Sequence, residues 1–184
     1  MTEHTHDHDD LASACEVAHG AAPAPVVSAA PGERILVAVF ASPVSGYLLR
    51  YGTDLGYRGF LVEPDEGRAA GAAALGFPLI HVPPDELDPA ADVVVTDHHR
   101  DELGVVLRDM LATKARWIGV LGNRHHVGPH VEMLAELGVP PEDLARVHRP
   151  IGLNIGSKTP AEIAISALAG LVADRNGRPG GFEF

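Results

Sequence analysis

Apolar residues recur along the chain in short continuous runs that alternate with stretches of helical spacing. A continuous apolar run of this length is typical of a strand that is buried on both faces of a sheet. Such runs lie at residues 34–40, 58–63, 78–82, 92–96 and 116–121. Helices are predicted over 44–55, 66–75, 103–111, 127–137 and 160–174. The first, third and fourth have apolar residues three and four positions apart, whereas the second is Ala-rich. The first helix ends before Gly56 and the fourth before Gly138, since glycine adopts the left-handed conformation that ends many helices.

The alternation of strands and helices predicts the fold class. Continuous apolar strands joined through helices indicate a mostly parallel sheet with helices on both faces. Right-handed crossovers then give a doubly wound, Rossmann-like α/β domain. Ligands of such sheets bind at the carboxyl ends of the strands, so the loops after residues 40, 63, 96 and 121 are where we expect a site.

The two ends of the chain differ from this pattern. Residues 1–32 contain acidic residues, histidines and an Ala/Pro stretch, but neither Lys nor Arg. Without apolar periodicity nothing offsets the entropy of ordering, which predicts a flexible His/Asp-rich and Ala/Pro-rich tail. Residues 175–184 are predicted as a flexible C-terminal tail, leaving one Rossmann-like domain over 33–174. The last helix is apolar nearly all round and is therefore predicted to be buried.

Composition and charge restrict the function. The chain has 14 Lys+Arg against 25 Asp+Glu, a net charge of −11, which argues against nucleic acid or an anionic membrane as the main partner. No apolar run approaches the roughly 18–20 residues that span a bilayer, and the N-terminus lacks the pattern of a signal peptide. The single Cys15 cannot form an internal disulfide, so we expect a cytoplasmic protein.

The first strand–helix loop, residues 40–45 (FASPVS), occupies the place of a dinucleotide-binding loop. That fingerprint requires glycine where Phe40 and Ser42 stand, and Pro43 removes an amide donor. Glu63, about twenty residues further on, stands where an acidic residue would bind a ribose, although it is also an ordinary surface position. We therefore expect NAD(P) to bind poorly, while Glu63 stays a candidate ligand-binding residue.

Histidines cluster in three places. His4, His6 and His8 alternate in the acidic tail and are weak candidates for binding nickel, copper or zinc. Two pairs follow predicted strands, in residues 96–99 (TDHH) and 122–126 (GNRHH). Zinc binding there is less favoured than helix capping by the neighbouring Asp and Asn, because adjacent histidines rarely converge on one ion.

Two cations and a glycine-rich loop predict an anion site. Arg124 follows Gly122, and a guanidinium suits phosphate or carboxylate. Residues 148–162 (HRPIGLNIGSKTPAE) place Lys158 before a helix whose start, TPAE, has the spacing of a capping box. Free amides at such a helix start attract anions. The alternative is a loop that merely turns the chain into a capped helix.

The stretch from 122 to 173 resembles the C-terminal Rossmann domain of the XdhC/CoxI family, and the similarity extends more weakly over residues 34–121. The family pattern is close to G-S-R-R, a helix, and P-I-G-L-D-I-G-A-x-T-P-E-E-I-A. The matching residues are Gly122, Arg124, Pro150, Ile151, Gly152, Leu153, Ile155, Gly156, Thr159, Pro160, Glu162, Ile163 and Ala164. Asn123 and Asn154 replace the family's Ser and Asp, and residues 40–44 replace its G-A-G-H-V loop.

The resemblance implies an accessory protein for the maturation of xanthine or carbon-monoxide dehydrogenase. Such a protein is non-catalytic, binds the molybdenum–pterin cofactor and transfers it to a molybdenum hydroxylase client; a homodimer is left open. Two alternatives remain: an NAD(P)-dependent oxidoreductase on the same fold, and a structural or regulatory subunit without a ligand. The predicted cofactor-binding residues are Gly122, Asn123, Arg124, Gly152, Asn154, Gly156, Ser157, Lys158, Thr159 and Glu63.

Overall fold

A computed structural model describes residues 26–81, 83–122 and 128–181. The strands are β1 (Val26–Val27), β2 (Arg34–Val39), β3 (Tyr57–Val62), β4 (Leu79–Ile80), β5 (Glu86–Leu87), β6 (Ala91–Val95), β7 (Trp117–Val120) and β8 (Val147–His148). The helices are α1 (Pro43–Asp54), α2 (Glu66–Ala72), α3 (Leu103–Ala112), α4 (Pro129–Glu136), α5 (Pro141–Leu144) and α6 (Pro160–Arg175). A short 3-10 turn over Ala73–Leu75 extends α2.

The main sheet has six parallel strands in the order β4-β3-β2-β6-β7-β8. This is the doubly wound order of dinucleotide-binding domains, with the change of direction between β2 and β6. Val39, the last residue of β2, pairs with Val62 on one side and with Val95 on the other. The carboxyl ends of the central strands therefore meet at one edge, and the predicted α/β fold is confirmed.

Apolar layers cover both faces of the sheet, which explains the continuous apolar runs. In β2, Ile35, Val37 and Val39 pack with α3 and α4, whereas Leu36 and Ala38 pack with α1 and α6. All five side chains are fully buried. Because both faces of the central strands are covered, a ligand can reach this part of the sheet only at the loops that join the strands to the helices.

Two parts of the sheet were not predicted. β8 adds a sixth strand, where the His148 ring stacks on Trp117 with 5.0 Å between ring centroids. β1 pairs with β5 in a separate two-stranded sheet, and Val27 of β1 is only 4% exposed. The packed part of the chain thus begins within the predicted tail, where Val27 is buried and the Ala29 N–H donates to Asp88 at 3.2 Å. Residues 1–25, with His4, His6 and His8, lie outside the described residues.

Helix α6 differs from its prediction in two respects. It extends to Arg175, which the predicted C-terminal tail included. Its burial is one-sided: Leu168 and Leu171 are buried, but Ile165 is 51% exposed. Ile165 lines an open apolar groove of about 590 Å³ between α6 and the end of α1.

The amino-terminal edge of the sheet contains a buried ion cluster. Asp92 of β6 is fully buried and accepts hydrogen bonds from Arg116 Nε (2.7 Å), Arg175 Nε (2.8 Å) and the Tyr57 hydroxyl (3.1 Å). Arg116 also pairs with Asp174 at 2.6 Å. Burial and the Asp92 charge raise the pKa of Tyr57, so its hydroxyl stays a donor. The cluster fastens the end of α6 to β6 and lies at the edge opposite the strand-end loops.

Within the described ranges, no helix has both the length and the apolar character to cross a bilayer.

Candidate functional site

A crevice with two lobes opens at the carboxyl ends of β2, β6 and β7. The strand-end lobe, about 350 Å³, is lined by Val44, Thr96, His98, Leu121, Gly122, Ile151, Ser157, Ile163 and Ser166. The loop lobe, about 560 Å³, is lined by Gly122, Ser166 and residues 150–157. The lobes share Gly122, Ile151, Ser157 and Ser166, so they form one continuous crevice. Its position is the one that the strand order predicts.

The structure brings together most of the predicted site residues that it describes. Gly122 lines both lobes, and Gly152, Asn154, Gly156 and Ser157 line the loop lobe. Asn123 and Arg124 lie outside the described residues, so the proposed cluster of Arg124 with Lys158 stays a prediction.

Gly152 has a packing role as well as its place in the lining. Its φ is +88°, and a Cβ there would lie 2.6 Å from Ser166 Oγ and 2.9 Å from the Ser166 carbonyl carbon. The Ser166 hydroxyl donates to the Leu153 carbonyl at 2.6 Å, which holds the loop against α6. Gly156, with φ +68°, has open space around its Cβ position. Gly156 is therefore the glycine at which a ligand can approach the backbone closely.

The start of α6 satisfies its own amides. The Glu162 carboxylate accepts hydrogen bonds from the backbone N–H of Lys158 (2.8 Å) and of Thr159 (3.0 Å), and the Glu162 N–H donates to Thr159 Oγ1 (3.3 Å). These bonds hold the pKa of Glu162 below its usual range. The capping box is confirmed, and the amides expected to bind an anion already face a carboxylate. Lys158 is exposed beside this cap.

The first loop also satisfies its own amides. Phe40 N–H donates to the Val62 carbonyl, Ala41 N–H to Glu63, and Ser42 N–H to the Ser45 hydroxyl. Ser45 N–H donates to Ser42 Oγ, which completes a capping box at α1. A pyrophosphate bound in the usual way would need these same donors. The loop therefore offers few free amides to a dinucleotide.

Phe40 has a left-handed backbone conformation at a position where the dinucleotide fingerprint has glycine. Its φ is +72°, a left-handed value that costs a non-glycine residue about 1–2 kcal/mol. The Phe40 ring does not lie in the crevice, because it is fully buried in the core. The buried ring supports the left-handed turn.

Glu63 does not face a ligand. It is fully buried and forms a bidentate pair with Arg100, at 3.1 Å to Nη1 and 2.9 Å to Nη2. Burial alone would raise the pKa of Glu63, but hydrogen bonds from Arg100 and from the amides of Ala41 and Asp65 outweigh it and lower the pKa. The Arg100 guanidinium lies 4.6 Å from the centroid of the Phe40 ring. The carboxylate predicted to bind a ribose is thus held inside the protein.

A cationic corner, named for the Arg149 guanidinium and completed by the imidazoles of His98 and His130, borders the crevice at Gly122. A Cβ on Gly122 would collide with the Arg149 guanidinium, and one on Gly128 would collide with the His130 ring. His130 is 6% exposed, and its Nδ1 has no hydrogen-bond partner in the described part of the chain. The two glycines therefore make room for these side chains.

Burial and mutual repulsion control protonation in the cationic corner. Burial lowers the pKa of His98, and the charges of His99 and Arg149 lower it further. Burial likewise lowers the pKa of His130, with added repulsion from Arg149 and His98. Both imidazoles are therefore held toward the neutral form, so that each has one donor and one acceptor nitrogen.

Sequence reasoning missed the roles of Arg100, His130 and Arg149. Arg149 stands within the stretch 148–162, but its approach to Gly122 depends on the pairing of β7 with β8. Gly128, two positions before His130, was the one local sign in the sequence that a side chain packs closely against the backbone there. Among residues 26–81, 83–122 and 128–181, no group of three His, Cys, Asp or Glu side chains is arranged to hold a metal.

Comparisons with known proteins agree with this architecture. The uncharacterized protein YqeB of Escherichia coli (strain K12) is 36% identical over 96 residues, which are 52% of this chain and 17% of that protein. The crystal structure of a xanthine dehydrogenase from Bacillus halodurans superimposes with a TM-score of 0.62 at 22% identity, covering 79% of this chain and 45% of that protein. This chain thus spans less than half of either relative, and the low identity to the solved structure supports a shared fold alone. The family described as the XdhC Rossmann domain matches residues 36–171, and the chain belongs to that family.

Proposed function

We propose that this chain is an accessory protein that binds a phosphate-bearing molybdenum–pterin cofactor in the crevice and transfers it to a molybdenum hydroxylase. The observation that carries the proposal is the crevice itself, where apolar side chains, hydroxyls and an open glycine backbone lie beside the cationic corner. Membership of the XdhC Rossmann family supports the same function. When bound, the molybdenum centre supplies redox and oxygen-transfer chemistry, which the client enzyme uses.

The lining fits both ends of such a ligand. Val44, Ile151 and Ile163 offer apolar surface to a flat pterin ring, and Ser157 offers a hydroxyl group to its polar edge. Gly156 allows close approach of the backbone in the loop lobe. Lobes of about 350 and 560 Å³ are within the usual size of small-molecule sites, roughly 300–1,000 Å³.

The cationic corner suits the phosphate. Arg149 and His98 lie next to Gly122, where the two lobes meet. A guanidinium and an imidazole N–H both form charge-assisted hydrogen bonds with phosphate oxygens. We infer that these groups hold the phosphate end while the apolar lining shields the ring from water.

Binding is tested by titrating the purified protein with a fluorescent oxidised pterin that carries a terminal monophosphate. We expect saturable binding, weakened about fivefold by His98→Ala, the factor for one hydrogen bond of about 1 kcal/mol. The matched control is His81→Ala, because His81 is exposed after the edge strand β4 and lies outside the lining of both lobes. Molybdenum content is measured in protein purified from molybdate-supplied cells. Absence of saturable binding together with absence of molybdenum would contradict the proposal.

A further inference from the structure

We propose that the Glu63–Arg100 pair closes the position over β2 and β3, beside the crevice, where the nucleotide of a dinucleotide would lie, so that the ligand of this chain ends in a single phosphate and is not a dinucleotide. This inference rests on the proposed function for the pterin part of the ligand. The closure itself rests on Glu63, just after β3, and on Arg100 in the loop before α3, which lie outside the lining of both lobes.

The strand order fixes where a nucleotide would lie. In this fold a dinucleotide crosses the point where the strand order changes, here between β2 and β6. One nucleotide then lies over β2 and β3, with its ribose hydroxyls on an acidic residue just after the second strand of the fold. Glu63 follows β3 directly and is the residue at that position.

Glu63 has no acceptor position left for a ribose. Its Oε1 accepts from Arg100 Nη2 (2.9 Å) and Asp65 N–H (3.0 Å). Its Oε2 accepts from Arg100 Nη1 (3.1 Å) and Ala41 N–H (2.7 Å). A carboxylate has about four lone-pair positions, so these four bonds use them all.

Arg100 is fixed as firmly as Glu63. Its guanidinium packs over the Phe40 ring and also pairs with Glu102 through Nε (3.2 Å) and Nη2 (2.8 Å). The side chain is 5% exposed. A nucleotide could enter only by separating Arg100 from Glu63. Separating them would leave a buried charge without its partner, which is strongly unfavourable.

The direct test compares two ligands on the wild-type protein. One is the oxidised pterin monophosphate, and the other is the same pterin extended to a cytidine dinucleotide. We expect the dinucleotide to bind at least about tenfold more weakly. Equal or tighter binding of the dinucleotide, with the monophosphate still bound, would overturn the closed subsite and leave the proposed function intact.

Opening the subsite provides the second measurement. Arg100→Ala frees one side of Glu63, while two backbone amides still hold the carboxylate. The difference in affinity between the monophosphate and the dinucleotide should therefore fall to about threefold or less. The control is Arg108→Ala, since Arg108 pairs with Asp109 on the exposed face of α3 and should leave the difference unchanged. If Arg100→Ala does not fold, Arg100→Met replaces it, because it keeps the length of the buried stem. A folded variant with an unchanged difference would overturn the inference.

Titration with NADH separates this inference from the proposed function. NADH needs the same ribose position but no pterin contact. Binding of NADH after Arg100→Ala, and not before, would support the closed subsite even if neither pterin bound and the proposed function failed. Tight binding of NADH by the wild-type protein would overturn the inference.

Discussion

Replacing Asp92 by asparagine should lower the free energy of unfolding by about 2–4 kcal/mol, because one buried carboxylate holds three donors. Oδ1 accepts from Arg116, and Oδ2 accepts from Arg175 and from the Tyr57 hydroxyl. Asparagine has one carbonyl oxygen, so its amide group must face the donor of one arginine. The substitution keeps the shape of the side chain and removes its charge.

The magnitude follows from counting the bonds that change. One arginine loses its charge-assisted hydrogen bond, which costs about 1.5–3 kcal/mol. The other arginine still donates a hydrogen bond, but to a neutral oxygen, so that bond is weaker by roughly 1 kcal/mol. The arginine side chains are 27% and 16% exposed, so water compensates part of the loss and keeps the total near the lower values for a broken buried pair. For a chain of this length the melting temperature should fall by roughly 5–15 °C.

Urea unfolding followed by circular dichroism gives the free energy, and a thermal scan gives the melting temperature. Asp174→Asn is the matched control, because Asp174 is 42% exposed and bonds only Arg116 of this cluster, so it should cost less than about 1 kcal/mol. If Asp92→Asn costs no more than Asp174→Asn, the ion cluster does not stabilise the edge of the sheet and the reasoning fails.

Three further outcomes are expected. Removal of residues 1–25 should leave the melting temperature nearly unchanged, whereas removal of residues 1–32 should cost about 1.5–3 kcal/mol, because a buried valine of β1 is lost. The folded-state pKa of Glu63 is lowered, so its stabilisation is complete above the unfolded-state pKa and is lost as pH falls through the folded-state pKa. In urea titrations between about pH 7 and pH 3, Glu63→Gln should therefore lower the free energy of unfolding at neutral pH. The free energy of unfolding of this variant should also fall less steeply than that of the wild type as the pH decreases. Gly152→Ala should cost about 2–4 kcal/mol in urea unfolding, because the added Cβ meets Ser166 at a left-handed φ; a cost below 1 kcal/mol would contradict this packing role.

The sequence predicted the central part of the fold because its signals there are local. Continuous apolar runs mark strands whose side chains are buried on both faces, and Gly56, with φ +79°, ends α1 as expected. The Thr159 capping box fixes the start of α6. β8 and the pair β1–β5 have two residues each, which is too short for a periodic pattern. Their pairing depends on backbone hydrogen bonds between distant segments.

The candidate site was predicted in position but less well in detail. Strand order brings the loops after β2, β6 and β7 together, so the crevice could be expected from the alternation of elements alone. The ion pair between Glu63 and Arg100 could not be expected from the sequence, because Arg100 lies 37 positions away and no local pattern connects the two residues. The approach of Arg149 to Gly122 likewise requires neighbouring strands that are far apart in sequence. Long-range pairing of charges thus decided which predicted residues are open to a ligand.

Fastening α6 at its far end has a consequence for hydrogen exchange. Arg175 bonds Asp92 and the Ala90 carbonyl, while Ser166, near the middle of the helix, holds the loop at Leu153 and lines the crevice. The helix amides should exchange slowly between Ser166 and Arg175, since opening this part of α6 breaks hydrogen bonds that are at least partly buried. The amides of Asn154 and Gly156, which are exposed in the loop before α6, should exchange quickly until a ligand orders them. One wall of the crevice is therefore rigid before binding, and the entropy lost on binding is confined to a loop of a few residues.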